Sequence, residues 1–233
     1  MKRRLLGTAT ALVLGLLLST ATAVAAEWGT LKGKFIYDGK PPVQKKLNVT
    51  KDAKICSEHQ PMDESLVVSK EGGLANVVVY IRVKRGKKLK VHPDLKDSGS
   101  EPVQLDNLHC RFDPHIALLQ TGQKLILKNS DPVGHNTNVF CFKNQPFNLL
   151  IPAGQSQEIT TLTKGEPRPA GVACNIHPWM SGYLVVRDDP YMAVSAKDGS
   201  FEIKNIPAGE HEFQFWQDKG YLRNVSFKGG KTS

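Results

Sequence analysis

The fold is decided by residues 112–136, which read Phe112-Asp-Pro-His-Ile-Ala-Leu-Leu-Gln-Thr-Gly122-Gln-Lys-Leu-Ile-Leu-Lys-Asn129-Ser-Asp-Pro-Val-Gly-His135-Asn136. Two short apolar runs flank a Thr-Gly turn, and the second run ends in a cluster of turn-forming residues, as paired strands require. Similar runs rich in Val, Ile, Phe and Tyr recur along the chain, and helical periodicity is nearly absent. We therefore predict an all-β protein built from β-sandwiches. The predicted strands are Leu31–Tyr37, Val77–Val83, Ile116–Leu119, Lys124–Lys128, Thr137–Phe142, Glu158–Leu162, Tyr183–Arg187, Phe201–Ile203, Glu212–Trp216 and Asn224–Phe227.

A second stretch, Cys174-Asn-Ile-His177-Pro-Trp-Met180, carries the chemistry. It places a thiol, an imidazole and a thioether in one short loop, and sulfur ligands combined with imidazole select copper over calcium, magnesium or manganese. His135, at the end of an apolar strand, is the candidate for a further imidazole ligand. With Met180 as a long axial ligand, His135, Cys174 and His177 would have the composition of a type 1 (blue) copper site holding one ion.

Together these two stretches resemble the cupredoxins. Residues 112–136 are similar to the family's strand–turn–strand run ending in His-Asn, and Cys174–Met180 with the following strand is similar to the closing segment of amicyanin and plastocyanin. The resemblance covers roughly residues 102–188 and implies a cupredoxin-like Greek-key sandwich. It also implies that Asn136 ties the two ligand loops together. One departure from the family is Ala170-Gly-Val-Ala173, where aromatic residues usually precede the cysteine, so the spectroscopic subtype stays open.

The resemblance also implies a function, which is the transfer of single electrons between redox partner proteins. Pro178 would stiffen the ligand turn and remove a backbone N–H beside His177. Trp179 would lie next to a partly exposed edge of His177 and form the docking patch for a redox partner. No coordination position is left for a substrate, and we expect no enzymatic activity.

Several other interpretations of the ligand residues remain open. Zinc would use the same cysteine and histidines, but Met is a poor zinc ligand. A buried thiol beside a surface histidine needs no metal at all. The chain could also be a periplasmic copper-binding or delivery protein, or a module that binds a polysaccharide or cell surface and holds copper structurally.

The segments outside the copper-binding region resemble a carboxypeptidase-regulatory-like (transthyretin-type) β-sandwich. The two halves of that resemblance are Gly33-Lys-Phe-Ile-Tyr-Asp-Gly39-Lys-Pro-Pro42 and Asp198-Gly-Ser-Phe-Glu-Ile-Lys-Asn-Ile-Pro-Ala-Gly209. We expect a discontinuous sandwich made of residues 27–91 and 189–233, into which a copper-binding domain of residues 92–188 is inserted. Insertions of this kind are tolerated where chain ends meet in space.

Residues 1–26 have the pattern of a secretory signal peptide. Lys2, Arg3 and Arg4 precede an apolar run too short to span a membrane comfortably, and small residues follow near Ala25 and Ala26. We predict an exported, periplasmic or extracellular, monomeric protein with no transmembrane segment after cleavage. The formal charge is +9, or +6 without the three signal-peptide cations. A positive net charge favours association with acidic partners. Export excludes ordinary nucleic-acid binding.

The remaining cysteines are Cys56, Cys110 and Cys141, and export favours disulfides. Any pairing of two leaves the third unpaired. We favour Cys56–Cys110, which leaves Cys141 as a small buried hydrophobe. Of the other histidines, His59, His92, His109 and His211 have no ligand spacing. His115 is either a structural or surface residue or a second metal contact or proton-linked group.

One cluster of six cations, Arg82–Lys90, is either a solvated hairpin tip or a landing site for an acidic partner or anionic polymer. It lacks the interleaved aromatic residues of a single-strand nucleic-acid surface.

Overall fold

The computed structural model describes residues 27–223, and the all-β class is confirmed. The predicted signal peptide and the predicted strand Asn224–Phe227 lie outside these residues. Within residues 27–223, fifteen strands form four sheets. The strands are β1 (Trp28–Lys34), β2 (Val78–Ile81), β3 (Val103–Leu108), β4 (Arg111–Asp113), β5 (Ile116–Gln120), β6 (Leu125–Asn129), β7 (His135–Phe140), β8 (Phe147–Ile151), β9 (Ser156–Ile159), β10 (Ala170–Ala173), β11 (Ser181–Arg187), β12 (Met192–Val194), β13 (Ser200–Pro207), β14 (Phe213–Gln217) and β15 (Gly220–Tyr221).

In the part of the chain that the structure describes, helical structure is confined to short turns. The helix α1 (Ala53–Cys56) runs directly into a 3-10 turn at Ser57–His59, and another 3-10 turn lies at Pro93–Leu95. No helix in residues 27–223 is long and apolar enough to cross a membrane.

The central sandwich has the expected cupredoxin-like architecture. One sheet has the order β5-β11-β10-β7-β8, and the facing sheet has the order β4-β3-β6-β9. Strands β5 and β6 are consecutive in sequence but lie in different sheets, each pairing in parallel with a distant strand, β11 and β3 respectively. These crossings between sheets make a Greek-key sandwich rather than a meander. The fully buried side chains of Leu105, Leu127 and Leu184 are part of the core between the two sheets.

The outer strands join segments from both ends of the described chain. Strand β1 pairs with β13, and the fourth sheet has the order β12-β2-β14-β15. Gly199 supplies the positive φ (+87°) that the turn before β13 needs. A second apolar core, which includes Ile81, Tyr191 and Ile203, lies under these strands. Val78, Ile116, Val185 and other residues form a third cluster, which links the outer strands to the sandwich.

Sequence patterns located the long apolar strands better than the short ones. Strands β5, β6, β7 and β11 agree with the predicted ranges within two residues. Strand β1 begins three residues earlier than predicted, and β3, β4, β8, β10, β12 and β15 were not predicted. Strand β10 was missed because Ala170-Gly-Val-Ala173 has a single β-branched residue, Val172, and none of the aromatic residues by which strands are recognised.

Candidate metal centre

Two neighbouring strands of the larger sheet position the candidate ligands. Strand β10 lies between β7 and β11, and its last residue, Ala173, is opposite Asn138 of β7 and Ser181 of β11. The loop of residues 174–180 therefore leaves the sheet beside the start of β7, where His135 lies. The residues that the sequence separates by about forty positions are brought together by this pairing.

The structure brings His135, Cys174 and His177 into one buried cluster. One ligand atom from each lies within 4.8 Å of the others. The Cys174 Sγ is 3.8 Å from the His177 Nδ1, and the centroids of the two imidazole rings are 4.5 Å apart. Met180 lies at the end of the same loop, is 1% exposed and packs in the same core as Cys174. Its backbone N–H donates to the His177 carbonyl (2.9 Å), which closes the turn around Pro178.

Both histidines are oriented by carboxylates. The His135 Nε2 is 2.9 Å from an Asp131 oxygen, and the His177 Nε2 is 2.8 Å from an Asp52 oxygen. Each Nε2 is thereby engaged and each Nδ1 is left to face the cysteine. The His135 Nδ1 is buried and has no hydrogen-bond partner among the described residues. A buried polar atom without a partner is costly unless something binds it, and a carboxylate on the opposite ring nitrogen is the usual support of a metal-bound histidine. The residues present fit a metal ion with sulfur and imidazole ligands.

Burial and neighbouring charges shift the ionisation of all three residues. Burial disfavours the charged form of His135, but Asp131 and Cys174 outweigh it and raise the pKa of that imidazole to about 9. Burial also disfavours the Cys174 thiolate, yet the neighbouring His135 imidazole and nearby backbone N–H groups outweigh it and lower the pKa of the thiol. Burial lowers the pKa of His177 despite Asp52. The thiolate is the metal-binding form of cysteine, and His135 must release its proton when an ion binds.

Asn136 connects the two ligand loops. Its Oδ1 accepts hydrogen bonds from the backbone N–H groups of Asn175 (2.7 Å) and Ile176 (3.1 Å) and lies 3.4 Å from the Cys174 Sγ. Its Nδ2 donates to the side-chain oxygens of Asn148 and Asn175. This single amide therefore holds the β10–β11 loop against the start of β7, which is the part that the resemblance assigned to it.

The surroundings of His177 correct one expectation. A partly exposed His177 edge was expected from the sequence, whereas this side chain is fully buried and the segment before α1 covers it through Asp52. Trp179 is half-buried, its ring centroid lies 5.1 Å from that of His177, and its Nε1 donates to the Cys110 carbonyl. Pro178 is exposed at the turn. A partner that docks at Trp179 would therefore contact Trp179 but not His177 itself. The docking role of Trp179 stays a prediction.

A disulfide joins Cys56 and Cys110, the pairing that we favoured. The disulfide lies close in sequence or space to both carboxylates that contact the histidines. Asp52 precedes the helix that contains Cys56, while Asp131 accepts the backbone N–H groups of His109 (2.7 Å) and Cys110 (2.8 Å). Cys110 also lies near Asp131 and His135, but its sulfur is committed to the disulfide and is not available as a thiolate ligand.

Sequence reasoning missed Asp52 and Asp131. A signal for Asp131 was present, because it lies four residues before His135 in the turn that positions this ligand. Asp52 had no local signal, since it is 125 residues from His177 in sequence.

The remaining candidates lie outside the centre. Cys141 is a free, half-buried thiol whose pKa burial raises to about 11. His115 is buried between Asp218 (3.1 Å) and Glu64 (3.8 Å), and its backbone carbonyl accepts the Tyr183 N–H of β11.

The basic cluster Arg82–Lys90 forms an exposed turn after β2. Arg82 pairs with Glu212 and Lys90 pairs with Glu27, which leaves four cations of the cluster without an ion pair among the described residues.

Comparisons with known proteins give matches in structure only. No protein family matches the sequence, and no curated protein matches it. Among solved structures, a copper-containing nitrite reductase (NirK) from Thermus scotoductus SA-01 is 23% identical with a TM-score of 0.33, over 45% of this chain and 24% of the reductase. A reduced mutant of amicyanin is 17% identical with a TM-score of 0.33, over 38% of this chain and 89% of amicyanin. A purple cupredoxin from Nitrosopumilus maritimus is 20% identical with a TM-score of 0.29, over 36% of this chain and 97% of that protein. All three TM-scores lie below 0.5, so these likenesses assign no function to this chain. The carboxypeptidase-regulatory-like resemblance of the outer strands stays a prediction.

Proposed function

We propose that this chain is an exported type 1 copper protein that carries single electrons between redox partner proteins. The observation that carries the proposal is the buried His135 Nδ1, which has no hydrogen-bond partner among the described residues and faces the cluster that contains the Cys174 thiol. A sulfur ligand with two imidazoles, and a thioether on the same loop, is the donor set of a blue copper site. A copper ion bound there would supply a one-electron couple between Cu(I) and Cu(II).

The protein would limit the rearrangement of the ligand side chains when the copper ion changes its oxidation state. His135 begins a strand, and Cys174 and His177 occupy a turn that Asn136 and the Met180 N–H fasten at both ends. Asp131 and Asp52 fix the direction of both imidazoles. A donor set that moves little between oxidation states suits rapid electron transfer, and side chains whose rotamers are locked by packing provide that rigidity.

The burial of the ligands favours electron transfer over copper delivery. His135 and His177 are fully buried and Cys174 is 2% exposed. A carrier protein must release its metal to a partner, and release here requires the Asp52 segment and the ligand loop to open. We accordingly propose that the ion is retained and that the protein is not an enzyme.

Colour and redox behaviour test the proposal. The copper-loaded protein is expected to absorb strongly at about 600 nm, because a thiolate ligand produces the blue colour. Cys174→Ser should abolish the band, whereas the control Cys141→Ser, which changes the other free cysteine, should retain it. A colourless native protein after copper loading would refute the assignment. Reversible bleaching by a reductant without loss of copper to a Cu(I) chelator would separate electron transfer from delivery.

We also propose that the copper-binding domain, residues 92–188, is inserted in a carboxypeptidase-regulatory-like sandwich of residues 27–91 and 189–233. The pairing of β1 with β13, and of β2 with β12 and β14, supports this division. The second apolar core supports it too, because nearly all its residues come from the outer segments. Export after cleavage near Ala25 or Ala26 is part of the same proposal and is supported by the disulfide. Limited proteolysis and the mass of the secreted chain test these two points.

A further inference from the structure

A second pair of histidines lies on the surface next to the disulfide. His59 and His109 are fifty residues apart in sequence, yet their ring centroids are 4.3 Å apart with an interplanar angle of 32°. Both residues are exposed. We propose that His59 and His109 form a second, solvent-accessible metal site that binds a divalent first-row ion, Cu²⁺ in preference to the others. This site goes beyond the proposed function, which uses neither residue.

The spacing of the two rings suits joint coordination of one ion. With metal–nitrogen bonds of about 2.0 Å, two imidazoles bound at a right angle have ring centroids roughly 4.4 Å apart. The exposed pair matches this separation, and so does the buried pair His135–His177 at 4.5 Å. Rotation of the two exposed rings about their side-chain bonds can therefore bring one nitrogen of each histidine onto a shared ion.

The backbone on both sides of the pair is held in place. His59 ends the 3-10 turn that follows Cys56, and His109 directly precedes Cys110, so the disulfide fixes the two histidines relative to each other. His109 has a positive φ (59°), which is uncommon for a residue with a side chain, and its N–H donates to Asp131. Since little conformational freedom is left to lose, an ion meets a preformed pair of ligands.

The chemistry of the pair selects the class of ion. Two neutral imidazoles suit Cu²⁺, Ni²⁺ and Zn²⁺, and Cu²⁺ binds most strongly in the general order of affinities. Neither residue is a sulfur ligand, so the site should not favour Cu(I). The remaining coordination positions face solvent, and water can fill them.

The pair is also linked to the buried centre. The His109 N–H donates to one oxygen of Asp131 (2.7 Å), and the other oxygen contacts the His135 Nε2 (2.9 Å). An ion on the surface pair would therefore be held next to a backbone segment that Asp131 joins to His135. Cu²⁺ captured from solution at the surface pair would lie close to the buried cluster of His135, Cys174 and His177.

The test is a titration of the full mature chain with Cu²⁺, followed by calorimetry, absorption and electron paramagnetic resonance. We expect two binding events, of which the weaker gives a nitrogen-coordinated tetragonal Cu²⁺ signal with no gain at the blue band. His59→Asn or His109→Asn should weaken this event by about a hundredfold, because the second imidazole otherwise binds intramolecularly. His211→Asn, at a half-exposed histidine whose Nε2 contacts the Pro207 carbonyl, is the control and should change nothing.

Each outcome decides one proposal. The absence of a second event in the native chain, or its persistence in the double variant His59→Asn/His109→Asn, overturns the surface site and leaves the blue copper assignment untouched. A second event that both single variants weaken, in a chain that never turns blue, supports the surface site and refutes the proposed function.

Discussion

Asn136→Ala is the most informative single change to the ligand loops. The native amide oxygen accepts two backbone N–H groups of the β10–β11 loop, and the amide nitrogen donates two further hydrogen bonds. Alanine removes all four and leaves a hole in a position that is 6% exposed. The two strands β7 and β10 keep their own pairing, so the effect should be confined to the loop.

The expected loss of unfolding free energy follows from the two backbone bonds. Each such hydrogen bond contributes about 1–1.5 kcal/mol net, and an N–H left without a partner costs more, so we expect a destabilisation of about 2–3 kcal/mol. The loop that carries the cysteine also loses its tether to His135, so the affinity for copper should fall and the blue band should broaden or shift.

Denaturant unfolding of the metal-free protein measures the first effect. Asn138→Ala is a matched control on the same strand, because that amide makes a single 3.2 Å contact with Asn175 and its loss should cost about 0.5 kcal/mol. If Asn136→Ala and Asn138→Ala prove equally mild, the amide does not hold the ligand loops together and the reasoning is refuted.

Three further predictions concern the supports of the site. Asp52→Asn should weaken copper binding by about 10- to 100-fold in a chelator competition, because it removes the carboxylate on His177, whereas Asp94→Asn, at an exposed carboxylate, should not. Replacing both Cys56 and Cys110 by Ala removes a cross-link across 54 residues and should lower the unfolding free energy by about 4 kcal/mol at most. Denaturant unfolding measures this loss. An unchanged unfolding free energy would show that the disulfide does not stabilise the fold by constraining the unfolded chain. Burial opposes ionisation of Glu166, but hydrogen bonds from the loop after β7 outweigh it and lower its pKa. Its stabilisation is therefore complete above the ordinary glutamate pKa of about 4.3 and is lost as pH falls through the lower native value, so Glu166→Gln should flatten the acid side of the stability profile.

The candidate ligand residues stand out in the sequence because their chemistry is local. Cys174, His177 and Met180 lie in one short loop, and Asn136 follows His135 directly at the end of a turn. Spacing of this kind is visible without any knowledge of the fold. The long apolar strands of the sandwich could be predicted for the same reason, since alternation of apolar residues is a property of neighbours in sequence.

The supports of the site could not be predicted in this way. Asp52 reaches His177 across 125 residues, and His59 meets His109 only because the disulfide and the turn at Asp131 bring two surface segments together. The burial of His177 likewise depends on a segment that precedes the sandwich in sequence. Such contacts carry no periodic or local pattern, because they are set by how the sheets and loops pack. The sequence by itself determined which atoms could bind a metal, and the tertiary structure decided how those atoms are oriented, shielded from solvent and connected to the surface.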